Sequence, residues 1–104
     1  MTAVATAVAA LFRDRNVAVD ALYRVGGADP GVPVRVIRAA PDRVTPFGES
    51  RFVTATIALD VRIADAPGLA AGDTFEIDGT LHEVRGEPVR DAERLVWAAE
   101  VRET

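Results

Sequence analysis

The sequence predicts a mainly β fold, a small antiparallel β-barrel or rolled sheet of about six strands with one N-terminal helix. Three observations predict it. Apolar and polar residues alternate along segment after segment, and clusters of Gly, Pro and Asp break those segments at turn-like spacing. Only the N-terminal stretch carries helical spacing. A length of 104 residues suits a single domain over 1–104, with a helical region at 1–16 and a barrel core at 17–102 interrupted by a long loop at 39–50.

Residues 3–14 read as an amphipathic helix lying on the rest of the domain. Val4, Val8, Leu11 and Phe12 fall at i, i+4, i+7 and i+8, and the alanines between them favour helix. The stretch lacks a basic leader and runs into Arg13-Asp14-Arg15, which speaks against a signal peptide. From Val17 the period becomes two. Val19, Ala21, Tyr23 and Val25 alternate with Asp20, Leu22 and Arg24; Gly26-Gly27 and Asp29-Pro30-Gly31 make a turn; Val32, Val34 and Val36 then form a second strand. Residues 39–50 show no period and contain Pro41, Pro46 and Gly48, so they read as a long exposed loop.

Residues 51–64 carry the clearest alternation, with Val53, Ala55, Ile57, Leu59, Val61 and Ile63 on one parity. A strand of that length would reach roughly 45 Å, so it either curls round a small barrel or projects as an arm. Gly72-Asp73 leads into Thr74–Asp78 with Phe75 and Ile77 inward, Gly79-Thr80 turns the chain back, and Leu81–Val84 completes a hairpin. After a polar turn at 86–94, a last strand over 95–102 buries Leu95, Trp97, Ala99 and Val101.

Composition excludes much. There is no Cys, and all twelve basic residues are Arg, so thiolate nucleophiles, cysteine metal sites, a Schiff base and a P-loop lysine are unavailable. A net charge of −4 has the wrong sign for a protein that binds by neutralising phosphates. No apolar run reaches membrane-spanning length. His82, the single histidine, lies in the opposite parity from Leu81 and reads as a solvated or locally hydrogen-bonded side chain rather than a metal ligand. Asp73, Glu76, Asp78 and Glu83 lack calcium-loop spacing and read as the outward face of the hairpin. Ser50 lacks the nucleophile-elbow glycines. No catalytic, cofactor-binding or metal residue is assigned, and no enzyme activity is expected.

The candidate functional surface is instead an interface. The 39–51 region places Val44 and Phe47 among Arg38, Arg43, Glu49 and Arg51, the mixture of exposed apolar and Arg side chains on which interface hot spots draw. Phe47 folding back onto the barrel mouth is the alternative there. The charged turn with Arg90 and Asp91 is either a secondary contact or a solvated tip.

The order of motifs resembles a known family. Val34-Arg35-Val36-Ile37-Arg38, Pro41-Asp42, Phe47-Gly48-Glu49, the long alternating strand, Pro67, Gly72-Asp73, Ile77-Asp78-Gly79, Gly86-Glu87-Pro88-Val89-Arg90-Asp91 and Leu95-Val96-Trp97 follow one another as in the head-tail joining proteins of tailed bacteriophages and prophages. The resemblance covers about residues 17–102 and implies a small β-barrel that assembles into a homo-oligomeric ring, usually a hexamer, as a virion structural protein. The ring would sit as a connector or stopper between the portal or adaptor complex of the DNA-filled head and the tail. DNA would pass through it without sequence-specific binding, no cofactor or membrane would be involved, and the protein would be made in the bacterial host cytoplasm. The alternatives are a tail terminator or tail completion protein and, from another class, a β-barrel module that binds a small ligand.

Overall fold

The computed structural model describes residues 2–39 and 56–104. Helix α1 (Ala3–Arg13) precedes seven strands: β1 (Val19–Arg24), β2 (Val32–Ala39), β3 (Thr56–Arg62), β4 (Thr74–Ile77), β5 (Thr80–Val84), β6 (Val89–Arg90) and β7 (Val96–Glu103). The hydrogen-bonded order is β3-β2-β1-β4-β5-β7-β6, and β3 also pairs with β7. Six strands thus close an antiparallel barrel, the first of the two architectures expected from the alternation. Two-residue β6 is an extra strip laid along β7, pairing Val89 with Ala98 and Arg90 with Trp97. Strand β7 makes the closure: it runs beside β3 from Val96 to Arg102, while its other edge holds β6 first and then β5.

Period-two patterning decides what lies inside. Val36, Leu59, Val61, Phe75 and Val101 are fully buried, joined by Val84 and Ala99. Tyr23 stacks on Phe75 at 5.1 Å between ring centroids, so the bore is filled by side chains in the manner of small barrels. Neither β2 nor β3 has an open edge where both neighbours pair with it. Ala58–Val61 of β3 bond β2 on one side and β7 on the other.

The β4–β5 hairpin departs from the expected register. The two-residue turn is Asp78-Gly79, not Gly79-Thr80: both residues have positive φ, 52° and 79°, and Ile77 pairs with Thr80. That is the type I′ geometry whose backbone twist matches the flanking strands, and Asp-Gly favours it because both residues tolerate left-handed backbone. Moving the turn by one residue reverses the parity of β5. His82 therefore lies opposite Phe75 and is buried, whereas Leu81 is exposed. The expectation of a solvated His82 is corrected.

Helix α1 begins at Thr2, whose Oγ1 accepts a hydrogen bond from the Ala5 amide at 3.0 Å. Its C-terminal end is held by Arg35 of β2. Nε of Arg35 donates to the Phe12 carbonyl (3.0 Å), and Nη2 donates to those of Ala18 (3.0 Å) and Asp14 (3.4 Å). The guanidinium thereby satisfies the Phe12 carbonyl at the helix end and ties the segment leading into β1 to the same side chain. The face turned to the barrel is Ala5, Val8, Ala9 and Phe12, with Ala9 and Phe12 buried. Val4 and Leu11, expected on that face, are 45% and 48% exposed. Small alanines allow a close approach, and the buried face rotates toward them.

Candidate functional site

No helix among the described residues is long and apolar enough to cross a membrane, and no group of three or more metal-ligating side chains comes together there. The polar chemistry that does converge is structural. Asp73, expected on the outer face of the hairpin, is 4% exposed. It accepts hydrogen bonds from the Tyr23 hydroxyl (2.7 Å), the Gly26 amide (2.8 Å) and the Ala70 amide (3.0 Å). One carboxylate thereby ties together the end of β1, the turn after it and the 66–72 loop. Burial, then the Asp73 hydrogen bond and charge, push the Tyr23 phenol well above its ordinary value. Sequence reading missed this group because Gly-Asp before a strand signals an exposed turn. Asp73 and Tyr23 lie fifty positions apart, and no local pattern joins them.

Of the predicted interface residues, Arg43, Val44, Phe47, Glu49 and Arg51 lie outside the described residues. Arg38 is exposed near the end of β2. It borders an open cleft with Ile57, Ile77, Thr80, His82 and Glu103 at that end of the barrel. His82 Nδ1 is buried and has no hydrogen-bond partner among the described residues.

Arg90 and Asp91 lie at a second place, separated from Arg38 in the fold, and their segment is more ordered than a polar turn. Arg90 sits on β6 with its guanidinium carbon 5.6 Å from the Trp97 ring centroid, within cation–π range. Asp91 Oδ1 accepts from the amides of Leu95 (2.8 Å) and Val96 (3.2 Å), so its carboxylate closes the β6–β7 turn. Trp97 points its indole N–H at the Ala66 carbonyl, 2.8 Å away. The result is an open cleft of about 590 Å³ between the 69–71 loop and β6. Leu69, Pro88, Val89 and Trp97 line it together with the charged Glu87 and Arg90. Val89 is 65% exposed, an apolar side chain presented beside an aromatic ring and an arginine. Sequence reading singled out Arg90 and Asp91 but not Val89, which the pairing of β6 with β7 brings beside Trp97, or Leu69, whose loop the Trp97 indole ties down at Ala66.

Asp60 of β3 is partly buried, and burial, followed by the charge of Asp91, raises its carboxyl above the usual carboxylate range. Comparison with known proteins adds one match: the model of a family described as Phage Head-Tail Attachment protein fits residues 1–101. No curated protein and no solved structure is found to match.

Proposed function

The chain belongs to the phage head-tail attachment family and is thus a structural virion component that joins head and tail, and we propose that it acts as a ring-forming connector between the portal complex and the tail. The observation that carries this reading is the closed barrel with a filled bore. Among the described residues such a barrel offers no interior to a small ligand, which leaves its outer surface to do the work. The bore through which DNA passes is then made by copies side by side, not by one chain. A net charge of −4 suits that arrangement, because an acidic lining repels phosphates and lets DNA slide past. Residues 39–51 are the principal docking loop, with Arg38 at its root, and the Arg90 region is a secondary contact. The 51–64 strand is a further ring contact in this reading, but not by edge pairing over Ala58–Val61, where both edges are occupied.

Deleting the gene from its phage tests the reading. DNA-filled heads and tails of normal length are expected to accumulate separately in electron micrographs, with joining restored by the purified protein. Tails of abnormal length would indicate a tail terminator instead, and joined, infectious particles would refute a joining role.

A further inference from the structure

At one mouth of the barrel the inward-facing rows change chemistry. On β2 the inward parity runs Val34, Val36, Arg38; on β7 it runs Ala99, Val101, Glu103; on β5, traced back from Val84, it reaches His82. Three apolar rows thus finish in a guanidinium, a carboxylate and an imidazole. With Ile57, Ile77, Asp78 and Thr80 they line an open cleft of about 290 Å³. His82 stands directly opposite Glu103 in the β5–β7 register. It is 4% exposed, and its Nδ1 has no hydrogen-bond partner among the described residues. Burying a polar atom without a partner is unfavourable, so the ring marks a place where a partner is to be supplied from outside.

The cleft also selects what could enter it. Its charged side chains, Arg38, Asp78 and Glu103, take part in no ion pair among the described residues. Two carboxylates against one guanidinium leave it net negative, and β3 separates the strand of Arg38 from that of Glu103. Its volume lies just below the range of pockets for drug-sized ligands. One long side chain fits. Ile57 and Ile77 offer apolar surface for the methylene stem that an arginine or lysine packs while its charged end stays polar.

We propose that this cleft receives a basic side chain, arginine or lysine, presented by a protein of the head or the tail. Glu103 and Asp78 accept charge-assisted hydrogen bonds from its cationic end. The neutral His82 ring accepts another, turning about its broad Cβ–Cγ torsion to bring a nitrogen into the cleft. Arg38, on the far wall, opposes the cation and so sets it against β5 and β7. The inference rests on the joining reading above for the source of the side chain, and names the chemistry that partner must bring.

As the single histidine of the chain, His82 is its own reporter. In NMR spectra of the purified protein its ring signals are expected to shift saturably with Nα-acetyl-arginine amide, and to stay in place with the corresponding glutamate amide at equal ionic strength. Glu103→Gln is expected to weaken the arginine probe about tenfold, the loss of one charge-assisted hydrogen bond. Arg38→Gln is expected to tighten it. The reverse order for the two variants would mean an anionic guest, and no shift with either probe would mean a cleft that holds only water; both overturn the proposal. In the phage, His82→Leu and Glu103→Gln, each shown to be folded by circular dichroism, are expected to join heads to tails less efficiently than wild type. Joining at the wild-type level by both would refute the docking while leaving the joining role intact, since that role is read separately from the gene deletion.

Discussion

Removing the Asp73 carboxylate gives the sharpest test of how this small barrel is held together. Asp73→Ala deprives the Tyr23 hydroxyl and the Gly26 and Ala70 amides of their shared acceptor at a position 4% exposed. Each buried donor left without a partner costs about 1–3 kcal/mol. The two amides are only partly buried and fall at the low end, so the total comes to about 3–5 kcal/mol. Against a typical domain stability of roughly 5–15 kcal/mol, that is a large fraction. Asp73→Asn keeps the shape and one acceptor oxygen. With that oxygen serving Tyr23 and Ala70, only the Gly26 amide meets an amide nitrogen, and the loss is about 1–2 kcal/mol. Urea unfolding of Asp73→Ala, Tyr23→Phe and the double variant measures the coupling between the two side chains, expected at about 1–2 kcal/mol. A loss under about 1 kcal/mol for Asp73→Ala, together with additive Tyr23 and Asp73 effects, would refute the reasoning. The perturbation also reaches the cleft beside β6, since the Ala70 amide belongs to the loop that walls it. Hydrogen exchange at residues 69–71 is expected to accelerate in Asp73→Ala and to change little in Asp73→Asn.

The remaining predictions concern single groups. Folded Tyr23 keeps its proton above the ordinary value of 10.0 at which the unfolded chain ionises, so its contribution is fully present below that pH and is lost as the pH rises further; a pH series of melting temperatures, steeper for wild type than for Tyr23→Phe above pH 10.0, checks it. For Asp60, raised by burial and by Asp91, the sign makes the fold less stable as pH rises out of the acid range, so Asp60→Asn is expected to raise the melting temperature at neutral pH and to have little effect where the carboxyl is already protonated. Arg35→Ala removes the donor for the Phe12, Asp14 and Ala18 carbonyls; it is expected to cost about 1–2 kcal/mol and to speed amide exchange in α1 while β4 and β5 stay protected, and uniform acceleration would refute a local role. His82→Leu removes a buried nitrogen with no partner among the described residues and is expected to leave stability unchanged or raise it by about 1 kcal/mol, whereas a clear loss in urea unfolding would show that the imidazole is paired.

How far the sequence can be read depends on whether its signals are local. Leu59 with Val61, Phe75 with Ile77, and Ala99 with Val101 follow from period-two alternation, because a strand with one face in a core has no other way to sort its side chains. His82 fails the same logic through one residue: Asp78-Gly79 and Gly79-Thr80 both look like turns, and choosing between them inverts every side chain after them. The docked face of α1 is obscured because hydrophobic weight points to Val4 and Leu11, while close packing favours Ala5 and Ala9. Strand β6 hides inside a charged run, since two residues are too few to show a period. Closure of the barrel through β3 and β7 is a pairing between distant segments, which no local pattern specifies. Of the residues expected at an interface, Arg90 is exposed beside Trp97, whereas Asp91 spends its carboxylate on the β6–β7 turn, a local bond that a charged run does not announce.

The pairing of β7 has a consequence for how the chain reaches its fold. Until β7 is in place, the sheet is an open ribbon with β3 at one end and β5 at the other, both lacking a neighbour. Its seven registered pairs with β3 and three with β5 form together, when the last long segment of the chain arrives. Closure is thus a late event of high contact order. A truncated chain ending before Val96 would carry two bare strand edges and would be expected to aggregate or to be degraded. A frameshift just before the codon for Val96 would then act as a null allele, although it leaves β1 to β6 intact.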